Sequence, residues 1–447
     1  MKFISKLFIT SLPFLALSAQ AIEISKINIE LDKSQYVKYS GSNKSLKNGF
    51  KTGFGSSLTY YKMGDHGELY FYGLTDRGPN GDAPNFKAKD GSESASKFFL
   101  APDFTPQIGL IKVEKNKATI EKVITLKDQN SNKISGLPIP KGKIGTTNEV
   151  GLTDSLEILP FDNKGLDPEG ITIDKDGNFY ICDEYGPFVI KYSKDGKELN
   201  RFSPGNGLPE ILKYRIENRG CEGISITPSG ELAVLEQSVL EIKRDGKKSS
   251  PTAKFTRVVL TDPNTGKFRT YAYPIDADEY KKTKDAKLGD ILALSDTEFL
   301  IIEQGKDKNK KMRNLIYKVD FSNATDITDF KKDGFEPEFY QDSADIVMGV
   351  KTLVADLRAL GYVHEKAEGL ALLDDRQTLV VINDNDFGLD VKIKDKKRKE
   401  KITDYTVDSN KQLYFDSLMS DAKIKFSYLS DEESVNELFF IKLDEKL

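Results

Sequence analysis

Residues 167–184 read DPEGITIDKDGNFYICDE, and this stretch decides the fold. Apolar residues alternate on either side of a D-x-D-G turn, and period-two alternation broken by Gly and Asp is the signature of a β-hairpin. The start of a hairpin's first strand lies beside the end of its second. Glu169 at the entry and Asp183 and Glu184 at the exit therefore come to one end. The design recurs in CEGISITPSGELAVLEQS (221–238, Glu222 to Glu236), GDILALSDTEFLIIEQG (289–305, Asp290 to Glu303) and AEGLALLDDRQTLVVINDND (367–386, Glu368 to Asp384 and Asp386). From first acid to second the steps are 14 for Glu169 to Asp183, 14 for Glu222 to Glu236, 13 for Asp290 to Glu303 and 16 for Glu368 to Asp384. A fifth hairpin precedes them, GFGSSLTYYK (53–62) with GELYFYGLTDRGPN (67–80); it ends at Asp76 and Arg77 and lacks an acid at its start.

Outward from each hairpin lies a weaker strand pair: GLIKVEKNKATIEKVITL (109–126), FVIKYSKDGKELNRF (188–202), RVVLTDPNTGKFRTYAYPI (257–275), NLIYKVDF (314–321) and NELFFIKL (436–443). Supersecondary units that cannot bury their faces alone must stack, and four strands per unit is the blade of a propeller. The expected fold is all-β, a β-propeller of five to six four-stranded blades, with a sixth sought in 22–39 or 127–166. Radial stacking gathers the acidic ends around one mouth of the axis. A short helical insertion is predicted over 345–360, where Val350, Leu353, Val354 and Leu357 follow helical spacing ahead of Gly361. The segment 81–97 reads as a flexible Gly/Ser-rich loop on the mouth side, and KIKDKKRKEK (392–401) as a solvated loop.

The first 21 residues have a basic start at Lys2 and Lys6, an apolar run and an Ala19-Gln20-Ala21 end, the pattern of a secretory signal peptide. Domain boundaries follow as 1–21 for the leader and 22–447 for one domain, placing the mature protein in a periplasm or outside the cell. Without Lys2 and Lys6, 64 basic residues remain against 70 acidic ones, a net charge of −6. That balance argues against nucleic acid or an anionic membrane and toward a small-molecule partner. No later apolar run is long enough to span a bilayer, and oligomeric state is not legible. Cys182 and Cys221 each adjoin an acid of consecutive hairpins, Asp183 and Glu222, and in an oxidising compartment that placement predicts a disulfide between adjacent blades.

Ten clustered carboxylates need counter-charge. With oxygen ligands and only two histidines in the chain, the expected ion is hard, Ca²⁺ before Mg²⁺ or Mn²⁺. Arg77, Arg215, Arg219, His364 and Lys366 lie next to the acidic corners and can meet substrate oxygens.

The motifs DRGPN at Asp76, DPEGI and ICDEYGPF over 167–188, NRGCEG at Asn218, EQS at Glu236, EKAEGLAL at Glu365 and NDNDFG at Asn383 resemble the bacterial phytase-like family described as having esterase-like activity. The resemblance spans 53–388. It implies a secreted β-propeller whose acids carry phosphoester or ester hydrolysis, through Asp76, Arg77, Glu169, Asp183, Glu184, Arg219, Glu222, Glu368, Asp384 and Asp386. Residue roles are read as follows: Glu169, Glu222, Asp183, Arg77 and Arg219 catalytic; Arg215, His364 and Lys366 on substrate; Asp76, Glu184, Glu368, Asp384 and Asp386 on the metal. The expected function is a metal-dependent hydrolase of a phosphate ester or other ester. The alternatives are a calcium-dependent lactonase and a non-catalytic propeller that binds a ligand or protein. The absence of a G-x-S-x-G elbow and the scarcity of histidine leave no serine-triad competitor.

Overall fold

The computed structural model describes residues 23–340 and 345–447; the signal peptide read at 1–21 lies outside them. Four antiparallel strands build each of five sheets, counted from the axis outward. The first sheet holds Ser57–Met63, Leu69–Leu74, Gln107–Glu114 and Lys117–Thr125, and the second Pro168–Ile173, Phe179–Asp183, Phe188–Tyr192 and Glu198–Pro204. Cys221–Ile226, Leu232–Glu236, Phe255–Thr261 and Phe268–Pro274 form the third, and Lys287–Ala293, Glu298–Lys306, Met312–Asp320 and Val350–Asp356 the fourth. The fifth takes Gly369–Leu372, Thr378–Ile382 and Glu437–Lys442 from one end of the chain and Glu23–Glu30 from the other. Glu23 pairs with Lys442, and Ile29 and Glu30 continue in parallel against Ala118 and Thr119 of the first sheet. The two ends of the chain thus close the ring.

Hydrophobic alternation fills the wedges between sheets. Along Glu298–Lys306, Phe299 and Ile301 join Leu235, Val258 and Ile291 between the third and fourth sheets. Leu300 and Ile302 turn the other way to meet Leu370, Leu379 and Phe439 between the fourth and fifth. The remaining gaps are filled in the same manner, so the inner strands are buried on both faces.

The repeated Glu-Gly of the sequence has a packing cause. Neighbouring inner strands approach so closely that a Cβ on Gly170 would lie 2.9 Å from the Ile224 nitrogen, one on Gly223 2.7 Å from that of Ile291, and one on Gly369 2.6 Å from that of Leu58. Side-chain oxygens stitch successive inner strands. Ile171 N–H donates to Ser57 Oγ (3.1 Å), Ile226 N–H to Thr172 Oγ1 (3.3 Å), Ala293 N–H to Ser225 Oγ (3.0 Å) and Leu370 N–H to Asp290 Oδ2 (2.8 Å).

Three expectations are corrected. Residues 345–360 form no helix: Val350–Asp356 is the outer strand of the fourth sheet. The strand 312–320 needs a partner for its outer edge, and β-branched Val350, Thr352 and Val354 suit a pleated strand; Val350 and Leu353, read as a buried helical stripe, are 68% and 52% exposed. Residues 81–97 are not a loose loop but short strands of two accessory sheets, in which Asn80–Asp82 pairs with Ser96–Phe99, and Asn85–Lys87 with Tyr405–Asp408. Leu389–Lys394 likewise pairs with Lys423–Tyr428, so the basic run 392–401 begins as a strand. These insertions share a separate core of Phe50, Phe86, Phe98, Phe104, Phe387 and Phe426 and form a cap on the propeller. Neither 22–39 nor 127–166 forms a further four-stranded sheet among the described residues.

Cys182 and Cys221 are joined, with Cα atoms 5.6 Å apart, linking the second and third sheets. The separation of 39 residues gives a loop-closure stabilisation of about 3–4 kcal/mol. Denaturant unfolding of the double variant Cys182→Ser, Cys221→Ser should show a loss of that order, with the native far-ultraviolet spectrum retained in water. An unchanged midpoint would count against the bond as a stabilising element.

Candidate functional site

Two of the acids, Glu169 and Glu222, reach the axis through β-bulges. In the second sheet Pro168 pairs with Asp183 and Gly170 with Cys182, leaving Glu169 as the extra residue. In the third, Cys221 pairs with Glu236 and Gly223 with Leu235, leaving Glu222. A bulged residue is released from the ladder and its side chain re-aimed. Both glutamates line one cavity of about 360 Å³ together with Asp76, Arg77, Glu184, Lys366, Glu368 and Asp386. Asn80, Asp82, Lys97, Leu389, Asp390 and Val391 of the cap form its wall.

One carboxylate oxygen from each of Asp76, Asp167 and Glu169 lies within 4.8 Å of the others; all three residues are buried, and Asp76 and Glu169 line the cavity while Asp167 does not reach its surface. Asp167 is 0% exposed and neither of its oxygens accepts a hydrogen bond. Arg77 supplies the nearest charge: its Nη1 is 3.0 Å from Asp167 Oδ2 and 3.8 Å from Glu149 Oε2, and it donates to Asn218 Oδ1 at 3.1 Å. Asn218 holds a left-handed backbone (φ 54°) that few non-glycine residues adopt, a strain the surrounding contacts must hold in place. Asp76 accepts from Asn80 Nδ2 (3.2 Å) and from the Arg77 N–H.

Opposite, Lys366 Nζ sits 2.7 Å from Asp384 Oδ2 and 2.9 Å from Asp386 Oδ1. Asp386 and Phe387 are two consecutive left-handed residues (φ 47° and 53°), with Asn385 Oδ1 accepting from the Phe387 N–H. Asn383 is anchored to Val435 O (2.9 Å) and to the Glu437 N–H (2.7 Å). The motif NDNDFG is thus a braced turn that delivers two carboxylates to one lysine.

Burial dominates the electrostatics. It pushes the carboxyls of Asp76, Glu169 and Glu222 well above the ordinary range, and mutual repulsion adds to it. Asp167 is raised to about 6 by burial, opposed by Arg77. Glu368 rises to about 8 and Asp384 to about 7 from the same cause, in both cases opposed by Lys366. Asp386 alone is held low, by Lys366. Carboxylates outnumber cations here, and buried carboxyls raised in this way call for protons or a cation. The donor set of Asp76, Asp167 and Glu169 is all oxygen and close-set, with both Asp167 oxygens lacking a hydrogen-bond donor, and it fits a hard divalent ion.

Five residues read as functional are not in the cavity lining, and one of them, Asp384, read as a metal ligand, is spent on Lys366. Asp183 accepts the N–H groups of Asp167 (2.9 Å) and Tyr185 (3.1 Å), so it holds the bulge rather than facing the axis. Arg215 donates to Tyr185 O and, at 3.1 Å, to Thr146 O. Arg219 turns to Lys284 O. His364 lies against Glu437, 3.5 Å from its carboxylate. Three acids of the expected ring also lie outside the lining: Asp290 ties inner strands together, Glu303 accepts from Tyr273 Oη (2.9 Å) and pairs with Lys351 (2.8 Å), and Glu236 is buried with neither oxygen hydrogen-bonded. Conversely, Asp167, Asn218, Gln237, Lys287 and Lys97 belong to the site. Asp167, Asn218 and Gln237 stood inside the DPEGI, NRGCEG and EQS motifs, a signal available in the sequence; Lys97 and Lys287 carried none.

The fold and site together define a β-propeller with an acidic axial cavity roofed by a cap of chain insertions. Over residues 53–387 the chain matches the model of the family described as Phytase-like, esterase-like activity of phytase, and it belongs to that family. An uncharacterized secreted protein of Arthroderma benhamiae is 29% identical over 185 residues, 32% of this chain and 35% of that protein, so the match spans about a third of the relative's length. Among solved structures, a protein of unknown function from Dyadobacter fermentans is similar with a TM-score of 0.35 and 11% identity, covering 94% of this chain and 99% of its own. A virginiamycin B lyase from Staphylococcus aureus gives 0.30 and 12%, covering 95% and 100%. These likenesses are remote, and the architecture rests on the chain's own five sheets.

Proposed function

We propose that this protein is a hydrolase of a phosphate ester or other ester, working at the axial cavity with a Ca²⁺-type ion. The observation that carries the reading is the buried triad of carboxylate oxygens from Asp76, Asp167 and Glu169. A divalent ion held by these three residues would polarise the scissile carbonyl or phosphoryl oxygen and orient a water for attack, leaving the proton to a protein base. Glu222 is then the general base. Its Oε2 is buried without a partner in the lining of the same cavity, and its raised basicity suits it to take the water proton and return it to the leaving oxygen. Arg77, fixed by Asp167, Glu149 and Asn218, steadies the charge that builds on the attacked centre. Glu184 is held by Gln237 Nε2 (2.9 Å) and, with Glu368, keeps the far wall acidic.

Secretion is part of the same reading. It is supported by the disulfide and by the described name of the Arthroderma relative; no helix among the described residues is long and apolar enough to cross a membrane. We also take 22–447 as one domain, supported by the sheet that the strands 23–30 and 437–442 share.

A panel of aryl esters, lactones and phosphate monoesters, assayed with Ca²⁺ and with excess chelator, tests the proposal. Turnover of at least one ester class that chelator abolishes and Ca²⁺ restores is the expected result. Turnover that chelator leaves unchanged would remove the metal from the mechanism, and no turnover of any member would favour a binding propeller.

A further inference from the structure

Each cation lining the cavity but one is already committed to a carboxylate. Arg77 is paired with Asp167, Lys97 with Asp82 at 2.7 Å, and Lys366 with Asp384 and Asp386. Lys287 lines the same cavity, yet among the described residues its ammonium has no carboxylate oxygen within 4.0 Å and no hydrogen-bond acceptor. It opens the inner strand Lys287–Ala293 of the fourth sheet, where it pairs with Gln304. The triad of Asp76, Asp167 and Glu169 comes from the first and second sheets. The electrostatic map agrees with this placement. Lys287 is among the groups that lower Glu184, Glu222 and Glu368, whereas Arg77 and Lys366 are the cations that act on Asp76. Lys287 therefore sits by Glu184, Glu222 and Glu368 as the one lining cation with no carboxylate oxygen within 4.0 Å among the described residues. In the same lining, Gln237 Oε1 and Glu222 Oε2 are buried without partners, acceptors available to a hydroxyl of a bound molecule.

We propose that Lys287 is the substrate-recognition residue of this site, binding a phosphoryl or carboxylate oxygen of the substrate, and that the substrate is consequently an anionic ester and not a neutral one. This rests on the axial cavity being the substrate site, as read above, and it adds the charge class of the substrate and the residue that selects it. A compact ammonium with free donors suits an anion that approaches from solvent. An acidic bowl repels such an anion unless one cation is kept free for it.

Inorganic phosphate and acetate are the probes, titrated calorimetrically into the mature protein at low ionic strength, once with saturating Ca²⁺ and once with chelator. The variants are Lys287→Gln, Lys287→Arg and, as a control on a paired lysine outside the cavity, Lys117→Gln. Loss of a charge-assisted hydrogen bond should weaken whichever anion the wild type binds by about ten- to a hundredfold in Lys287→Gln. Lys287→Arg should recover most of that loss, and Lys117→Gln should change affinity by less than about threefold. Phosphate binding without acetate binding would assign a phosphoryl group, and the reverse a carboxylate. Equal anion affinity in wild type and Lys287→Gln, or no binding of either anion to the wild type, would overturn the proposal. Ca²⁺ affinity measured in the same samples keeps the two readings apart: Lys287→Gln should bind Ca²⁺ at least as well as wild type, and a wild type that binds anion through Lys287 but no Ca²⁺ would sink the metal reading while leaving this one standing.

Discussion

Glu222→Gln should lower kcat by about 10²- to 10⁴-fold on any ester the protein hydrolyses, the range that positioned general bases contribute. The substitution keeps the shape of the side chain and removes only its capacity to take a proton. Glu222 is the extra residue of a bulge whose flanking pairs, Cys221 with Glu236 and Gly223 with Leu235, are made by backbone groups, so the strand register should survive. The folded protein should even gain some stability, because a buried carboxyl repelled by Glu184 and Glu368 is replaced by a neutral amide. Ca²⁺ affinity should change little, since Glu222 is outside the triad of Asp76, Asp167 and Glu169. A stopped assay that monitors product, run beside a thermal melt, separates these effects. A variant with wild-type kcat would remove Glu222 from the chemistry.

Arg77→Met should be the most destabilising single change in the site, by about 3–5 kcal/mol at pH 8 without Ca²⁺, the cost of breaking a buried ion pair by removing one partner. The guanidinium is the cation 3.0 Å from the fully buried Asp167, and no other group replaces it. The effect must depend on pH in a definite direction. Asp167 is raised to about 6 in the folded protein, and Asp76 is raised as well. For such groups the native state holds protons that the unfolded chain releases, so stability is full below the ordinary carboxylate range and falls as pH rises through the folded value. Without Arg77 both groups titrate higher still, and the penalty should shrink toward pH 5, where they are neutral. Ca²⁺ should also offset part of it by restoring positive charge. Urea unfolding at pH 5 and pH 8, with and without Ca²⁺, reads all three statements. A penalty that grows as pH falls would contradict the assigned electrostatics.

The periodic parts of the molecule were legible because they answer to one rule. Alternation across a turn located all five inner hairpins, and the repeated acid predicted that Glu169, Glu222 and Glu368 would share one end of the axis; all three line the cavity. The hairpin rule alone placed every acid at that end. It could not say which carboxylates leave the ladder, because that depends on bulges one residue wide. Asp183 and Glu169 differ only in that Asp183 pairs with Pro168 while Glu169 is skipped. Asp290 looked like a counterpart of Glu222, yet it spends both oxygens on backbone N–H groups of Ile291 and Leu370. The cap was hidden for another reason. Its strands are two to six residues long, and its two halves, one before residue 100 and one after residue 388, meet only through a long-range pairing such as that of Phe86 with Val407, leaving too short a period to read. The outer strand 350–356 carried a helical spacing that its sheet overrode, since the strand 312–320 offered a free edge along its whole length. Lys287 had no motif around it, and only the three-dimensional arrangement shows it in the cavity lining without a carboxylate partner among the described residues.

Calorimetric titration of Ca²⁺ into chelator-treated mature protein, paired with the same titration of Asp167→Asn, tests the central claim most directly. The account predicts saturable binding to the wild type, a rise in melting temperature equivalent to about 2.7 kcal/mol at a hundredfold excess over Kd, and loss of both in Asp167→Asn. Absence of heat and of any thermal shift at millimolar Ca²⁺, or an Asp167→Asn protein that binds Ca²⁺ as the wild type does, would contradict it.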